Sequence, residues 1–251
     1  MKSILLATAA VSLFAAPALA QDAVGSIGVA YVNSQVDVLG LDAEADGGVI
    51  DGSVALPAFG DWTVTLDAAA TFADSDFGDD TTLSGSAHLT KMFGSDLRAG
   101  AFVGATDAGD DTLVTIGAEV QKYFAGSTLT GVVAYGDVDD ADVWTVGGDA
   151  AFYVQPNLRL NAGLSWNNID TSVGDIDAWS YGVGAEYQFT GTPYGVFADY
   201  NRVSLDDVDV DVDTFQVGFR YSFGGSLQAR DRAGADLGRT VVGVASATAG
   251  L

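Results

Sequence analysis

The chain has 251 residues, a formal net charge of −24, one His and no Cys. That charge argues against nucleic acid as a partner, and the lack of Cys excludes disulfides, Cys-held metals and a lipid-modified N-terminal Cys. No run of about 18 apolar residues follows the first 20 positions, so no transmembrane helix is expected.

Residues 1–20 read as a secretory signal peptide. Lys2 supplies a positive start, Ile4 to Phe14 a short apolar run, and Ala18-Leu19-Ala20 a small-x-small cleavage site. The run is too short for an anchor, and the mature chain is expected to begin near Gln21.

From there to Phe223 the chain alternates apolar and polar residues with the period of a strand that has two different faces. Twelve segments are predicted, over about 26–34, 48–56, 62–72, 81–93, 97–105, 112–124, 128–136, 143–154, 158–167, 178–190, 194–203 and 212–223. Gly28, Ala30, Asp51 and Gly52 dilute the first two, and ten strands remain if these are discounted. In the third, Trp62, Val64, Leu66, Ala68, Ala70 and Phe72 share one face, and Thr63, Thr65, Asp67, Ala69 and Thr71 the other. Aromatics stand at both ends of the apolar face with small aliphatics between, as in a lipid-facing band between interfacial girdles. The expected fold is all-β: a transmembrane, antiparallel, up-and-down β-barrel of about 12 strands over residues 21–223.

The connections alternate in length. Residues 57–61, 94–96, 125–127, 155–157 and 191–193 are short and rich in turn formers, which places them on the periplasmic side. The longer connections hold 22 acidic residues and no basic one. Lys91, Arg98, Lys122, Arg159 and Arg220 fall near the short turns, and only Arg202 near the long connections. An acidic outer rim and a mildly basic inner rim are expected.

The last segment, Gln216-Val-Gly-Phe-Arg-Tyr-Ser-Phe223, resembles the closing-strand signal of Gram-negative outer-membrane barrels at Gln216, Gly218, Tyr221 and Phe223. In most such proteins the final Phe ends the chain, whereas here residues 224–251 follow. The resemblance covers residues 1–223 and points to small porin-like barrels. It implies the outer membrane, its lipids and lipopolysaccharide, and the barrel-assembly machinery as surroundings and partners. The tail carries Arg230, Arg232 and Arg239 against Asp231 and Asp236 and has no aromatic residue. It reads as a disordered periplasmic extension; a plug or a periplasmic contact is the sharper alternative, supported by the mildly apolar 241–251.

Ionisable residues at membrane depth must face inward. His88, Glu119, Asp149 and Glu186 are expected at similar depths on descending strands, and Asp67 and Asp199 near mid-depth on ascending ones. Arg98, Arg159 and Arg220 are expected inward, closer to the periplasm. These nine residues line either a wet pore, with an acidic belt above a basic one, or a narrow barrel filled by Arg–carboxylate pairs. Twelve strands enclose more room than the roughly eight that side chains just fill.

No catalytic residue is expected. His88 shares its face with Ser84 and Ser86, but a Ser two positions away on a strand does not by itself make a nucleophile–base contact. No cofactor or defined metal site is expected either. The Asp-rich runs 206–213 and 137–142 lack the central Gly and terminal Glu of an EF-hand and suit loose screening by divalent ions. The functional expectation is a passive channel for small hydrophilic solutes, mildly cation-preferring. A closed structural or surface-interaction barrel is the alternative, and a His88-dependent lipid-modifying enzyme a third reading.

Overall fold

The structure, a computed structural model, describes residues 23–38, 41–75, 78–108, 111–138, 141–172, 174–205 and 210–237. The predicted signal peptide and residues 238–251 lie outside them.

Twelve strands follow in order: β1 (Val24–Val38), β2 (Leu41–Pro57), β3 (Trp62–Ser75), β4 (Gly78–Phe93), β5 (Leu97–Ala108), β6 (Asp111–Tyr123), β7 (Ser127–Val138), β8 (Ala141–Gln155), β9 (Leu158–Thr171), β10 (Gly174–Gln188), β11 (Tyr194–Leu205) and β12 (Val210–Phe223). Each pairs antiparallel with its sequence neighbours, and β1 pairs with β12 from Gly25↔Phe223 to Val38↔Val210, so the sheet closes on itself. The two diluted segments are full members: β1 and β2 stay in register from Val24↔Ala55 to Val38↔Leu41. Twelve strands therefore stand, and the reading with ten does not.

Closure leaves no unpaired edge, which a membrane requires because the hydrocarbon supplies no hydrogen-bond partners. The alternation decides the faces. Val29, Val103, Val114, Ile116, Leu164, Val183 and Phe219 lie exposed on the outside, while Ser26, Thr65, Thr90, Ser165 and Ser222 lie buried on the inside. Tyr187–Phe189 and Tyr194–Tyr221 pack ring against ring at the short-turn end.

The strands outrun their predicted lengths at the opposite end. The Asp-rich connections were expected to be loops, yet pairing continues through most of them, as in Asp137↔Asp142, Asp142↔Asp170 and Asp170↔Asp175. Asp has low strand propensity, but propensity is a weak prior where neighbouring strands already hold the register. The acidic rim is thus largely a paired sheet that extends past the apolar band.

The tail departs further from expectation. Residues 224–237 are not a disordered extension. Gly224 and Gly225 take positive φ values of 85° and 141° and turn the chain back after Phe223. A short helix follows, α1 (Leu227–Arg232), with Ser226 as N-cap accepting from the Ala229 amide at 3.3 Å. Leu227, Arg230, Ala235 and Leu237 have no exposed surface at all. The apolar 241–251 that supported the plug alternative lies outside the described residues; the 224–237 part folds because burying these side chains inside the barrel offsets the entropy of ordering a short chain.

Candidate functional site: the barrel interior

The segment 226–237 sits inside the short-turn end. Gln228 donates its amide to the Pro156 carbonyl at 3.0 Å and its side chain to that of Ala125 at 2.8 Å, both in short turns. From this position it reaches eight of the twelve strands. Ser53 (β2) donates to the Ala235 carbonyl at 2.6 Å, Thr65 (β3) to that of Gly234 at 2.9 Å and Arg98 (β5) to that of Arg232 at 3.0 Å. Tyr123 (β6) approaches the Asp231 carbonyl at 3.5 Å, and Thr128 (β7) donates to the Asp231 carboxylate at 2.6 Å. Arg159 (β9) lies 3.7 Å from Asp236, and Glu186 (β10) and Ser222 (β12) accept from Arg230. Contacts on this many sides make the segment a plug across the lumen.

A chain of alternating charges anchors it. Asp51 on β2 pairs with Arg220 at 2.9 Å, and Arg220 with Glu186 at 3.3 Å. Glu186 takes both terminal nitrogens of Arg230, at 3.0 and 2.9 Å. The Arg230 Nε donates to Asp236 at 2.9 Å, and Arg159 stands 3.7 Å from Asp236 and 3.9 Å from Asp149. Seven acidic and basic side chains thus alternate from β2 through the plug to β8. Each buried charge has a neighbour of opposite sign, the condition under which charges tolerate burial. Gly28 makes room for the first pair, since a Cβ there would lie 2.3 Å from Asp51 and 3.0 Å from Arg220. The Arg220 guanidinium also lies over the Phe197 ring, 4.1 Å from its centroid.

A second cluster stands apart. His88 Nδ1 meets Glu119 at 2.9 Å, and Nε2 meets Ser86 Oγ at 2.9 Å and Asp67 at 3.4 Å. The imidazole is stacked on Phe102, with centroids 5.2 Å apart. Ser86 thus touches His88, a contact that the spacing of two along the strand does not by itself supply. The order Ser–His–Glu is that of nucleophile, base and orienting acid. Two features count against that chemistry. Asp67 crowds the nitrogen that would take the serine proton, and Ser86 lies mid-strand, where neighbouring backbone amides are engaged in the sheet rather than aimed at an oxyanion.

All nine predicted inward residues face the interior, but not as an acidic belt above a basic one. Asp149, Arg159, Glu186 and Arg220 join the charge chain; Asp67, His88 and Glu119 form the second cluster. Arg98 bonds Thr90 and Tyr123, each at 2.9 Å, and Asp199 accepts from Gln216 at 3.3 Å. Of the closing-strand residues, Gln216 and Gly218 face inward. A Cβ at Gly218 would lie 2.7 Å from the Phe197 ring, and Tyr221 packs outward against Tyr194 and Phe223.

Sequence reasoning missed Asp51, Arg230 and Asp236, and the available signal was the unusual basic content of the tail beside Leu227 and Leu237. It also missed an apolar patch on the inner wall toward the long connections. Ala178, Val203 and Leu205 are buried there together, with Ile176, Val210 and Val212 packed against them. In the plug, burial pushes the Asp231 carboxyl above the ordinary carboxylate range, and the Asp236 charge acts in the same direction. Among the described residues no group of three or more His, Asp or Glu side chains is arranged to hold a metal ion. The Asp-rich runs considered for divalent ions fall partly outside the described residues.

No family model matches the chain, and no curated protein does. Solved structures do match in fold. An outer-membrane channel from Pseudomonas putida F1 aligns with a TM-score of 0.61 at 14% identity, covering 80% of this chain and 96% of that one. The NanC porin aligns at 0.55 and 7% identity, covering 78% and 100%. The translocator domain of the autotransporter NalP from Neisseria meningitidis aligns at 0.54 and 13%, covering 89% and 95%. The fold is that of outer-membrane β-barrels.

Proposed function

We propose that the protein is an outer-membrane channel for small hydrophilic solutes and ions, closed at its short-turn end by residues 226–237. The observation that carries this reading is the polar lining of the inner wall, where Glu119, Gln121, Arg159, Ser165 and Asn167 face inward. Ser26 Oγ, Glu119 Oε2, Arg159 Nε, Ser165 Oγ and Asn167 Nδ2 are buried without a hydrogen-bond partner from the protein. A buried polar group without a partner costs on the order of 1–3 kcal/mol, so each of these atoms favours an enclosed water within a polar interior. A barrel meant only as a scaffold would more simply be filled by packed side chains. Two of the barrels it resembles in fold are named as a channel and a porin.

The acidic rim raises the local concentration of cations at the mouth and favours their entry. That preference weakens as added salt screens the rim, since the Debye length falls from about 10 Å at 0.1 M to about 3 Å at 1 M. The same rim would gather divalent ions loosely and bridge them to phosphates of outer-leaflet lipopolysaccharide. The mature chain would begin near Gln21 and reach the membrane through the barrel-assembly machinery, reading the strand that ends at Phe223.

The plug favours a second reading, a permanently closed structural or surface-interaction barrel. Planar-bilayer recording separates the two. Full-length protein should open rarely and Arg230→Ala often, with a cation-selective reversal potential at low salt. Silence from both proteins at every salt concentration would leave the closed barrel as the better account.

A further inference from the structure

The Arg230 guanidinium sits in a corner that the barrel wall supplies. Glu186 on β10 offers both carboxylate oxygens to its two terminal nitrogens, at 3.0 and 2.9 Å, and Ser222 on β12 accepts a further bond at 2.7 Å. This is the two-pronged geometry that a planar guanidinium matches and a spherical cation does not. Arg230 belongs to the plug, while Glu186 and Ser222 belong to the sheet, so the contact joins two separate elements.

The charge balance points the same way. Arg230 is the middle member of the seven-group chain. Without it, Asp51, Arg220 and Glu186 form one trio, and Asp236, Arg159 and Asp149 another. Each trio keeps two carboxylates to one guanidinium, and Arg230 is a cationic partner shared by Glu186 of one and Asp236 of the other. With Arg230 seated, Glu186 and Ser222 are both nearly fully buried, so the cation held there is kept from bulk water, where charge-assisted hydrogen bonds are strongest.

We propose that the Glu186–Ser222 corner is a binding seat for guanidinium-bearing solutes, and that Arg230 occupies it as a built-in competitor. A solute carrying a guanidinium group and entering from the acidic mouth would exchange with Arg230 and loosen the plug. No bond is made or broken beyond the exchange of one ion pair for another. Access to the seat rests on the channel reading above; the seat itself does not.

The test uses the full-length chain refolded into detergent and into planar bilayers, with guanidinium chloride at millimolar concentration as probe. Tetramethylammonium chloride, which has the same charge but no N–H donor, is the control. In Arg230→Ala, guanidinium should block the open current and raise the thermal midpoint in detergent, and tetramethylammonium should do neither. Adding Ser222→Ala should weaken both effects about tenfold, the loss of one hydrogen bond to a charged group. In the wild type, guanidinium should raise the open fraction. If Arg230→Ala does not refold, Arg230→Lys keeps the charge without the fork and should show the same selectivity.

Equal effects of the two salts on the thermal midpoint would overturn the seat. A selective thermal effect without conductance from any variant would overturn the channel reading and leave the seat standing. A wild type indifferent to guanidinium at concentrations that block Arg230→Ala would overturn the exchange.

Discussion

His88 on β4 and Glu119 on β6 are joined at 2.9 Å across β5, whose Phe102 ring lies stacked on the imidazole. The two strands are not neighbours in the sheet, so this contact ties three strands together from the inside. Removing one member of a buried hydrogen-bonded pair leaves the other unsatisfied and costs about 1–3 kcal/mol. His88→Ala should therefore lower the stability of the refolded barrel by roughly 2 kcal/mol, read as a lower urea midpoint in vesicles. His88→Gln, which can still donate to Glu119, should recover part of that loss. An unchanged midpoint in His88→Ala would mean that the contact contributes nothing to the fold.

The plug should tighten as the solution is acidified. Asp231 faces Thr128, Tyr153, Arg159 and Asp236, and burial raises its pKa in the seated plug. Seated, this carboxyl takes up a proton at a higher pH than it does when free. The seated state is thus favoured as pH falls through the raised value toward the ordinary carboxylate range, and disfavoured as pH rises above it. The open fraction should decline on acidification from neutral pH, and Asp231→Asn should flatten that dependence. A dependence of the same slope in Asp231→Asn would assign it to another group.

Gly234 turns the plug backbone close against Arg98. Its φ is +88°, and a Cβ there would lie 3.0 Å from the Arg98 guanidinium. A side chain meets both an unfavourable backbone conformation, at about 1 kcal/mol or more, and the Arg98 contact. Gly234→Val should raise the open fraction severalfold while leaving every charged residue in place. An open fraction equal to that of the wild type would show that this turn does not hold the plug.

The acidic rim should be stabilised by neutralisation. Asp137, Asp142, Asp170 and Asp175 stand opposite one another across β7 to β10. Like charges directly opposite on adjacent strands repel by a few tenths of a kcal/mol. Asp142 also accepts from Tyr135, so Asp170→Asn is the cleaner test. It should raise the unfolding midpoint at low ionic strength, with the gain shrinking as NaCl is added. A gain that persists undiminished in molar salt would rule out repulsion as its cause.

The twelve strands, their faces and the inward direction of nine ionisable residues were legible because a strand's period of two is local. Trp62 and Thr65 declare their faces within a few positions, and the turn formers around Pro57, Pro156 and Pro193 mark where the strands reverse. The ends of the strands were not legible on the acidic side. Whether Asp137 and Asp142 sit in a loop or a ladder depends on neighbours that continue the pairing, not on Asp itself.

The partnerships inside the barrel were still further from view. Glu186 and Arg230 are 44 positions apart, and Asp51 and Arg220 are 169 apart. Local sequence fixes which way such side chains point, but only closure of β1 onto β12 brings them within reach. The tail shows this most sharply. Its basic composition and Leu227 and Leu237 depart from a free polar extension, yet only the barrel wall around them decides where they are buried. The sequence by itself determined a barrel with an acidic rim, because alternation and charge are written residue by residue. The tertiary structure decided that the lumen holds its own C-terminal segment, because that requires a cavity of the right size and a Glu186 already waiting in its wall.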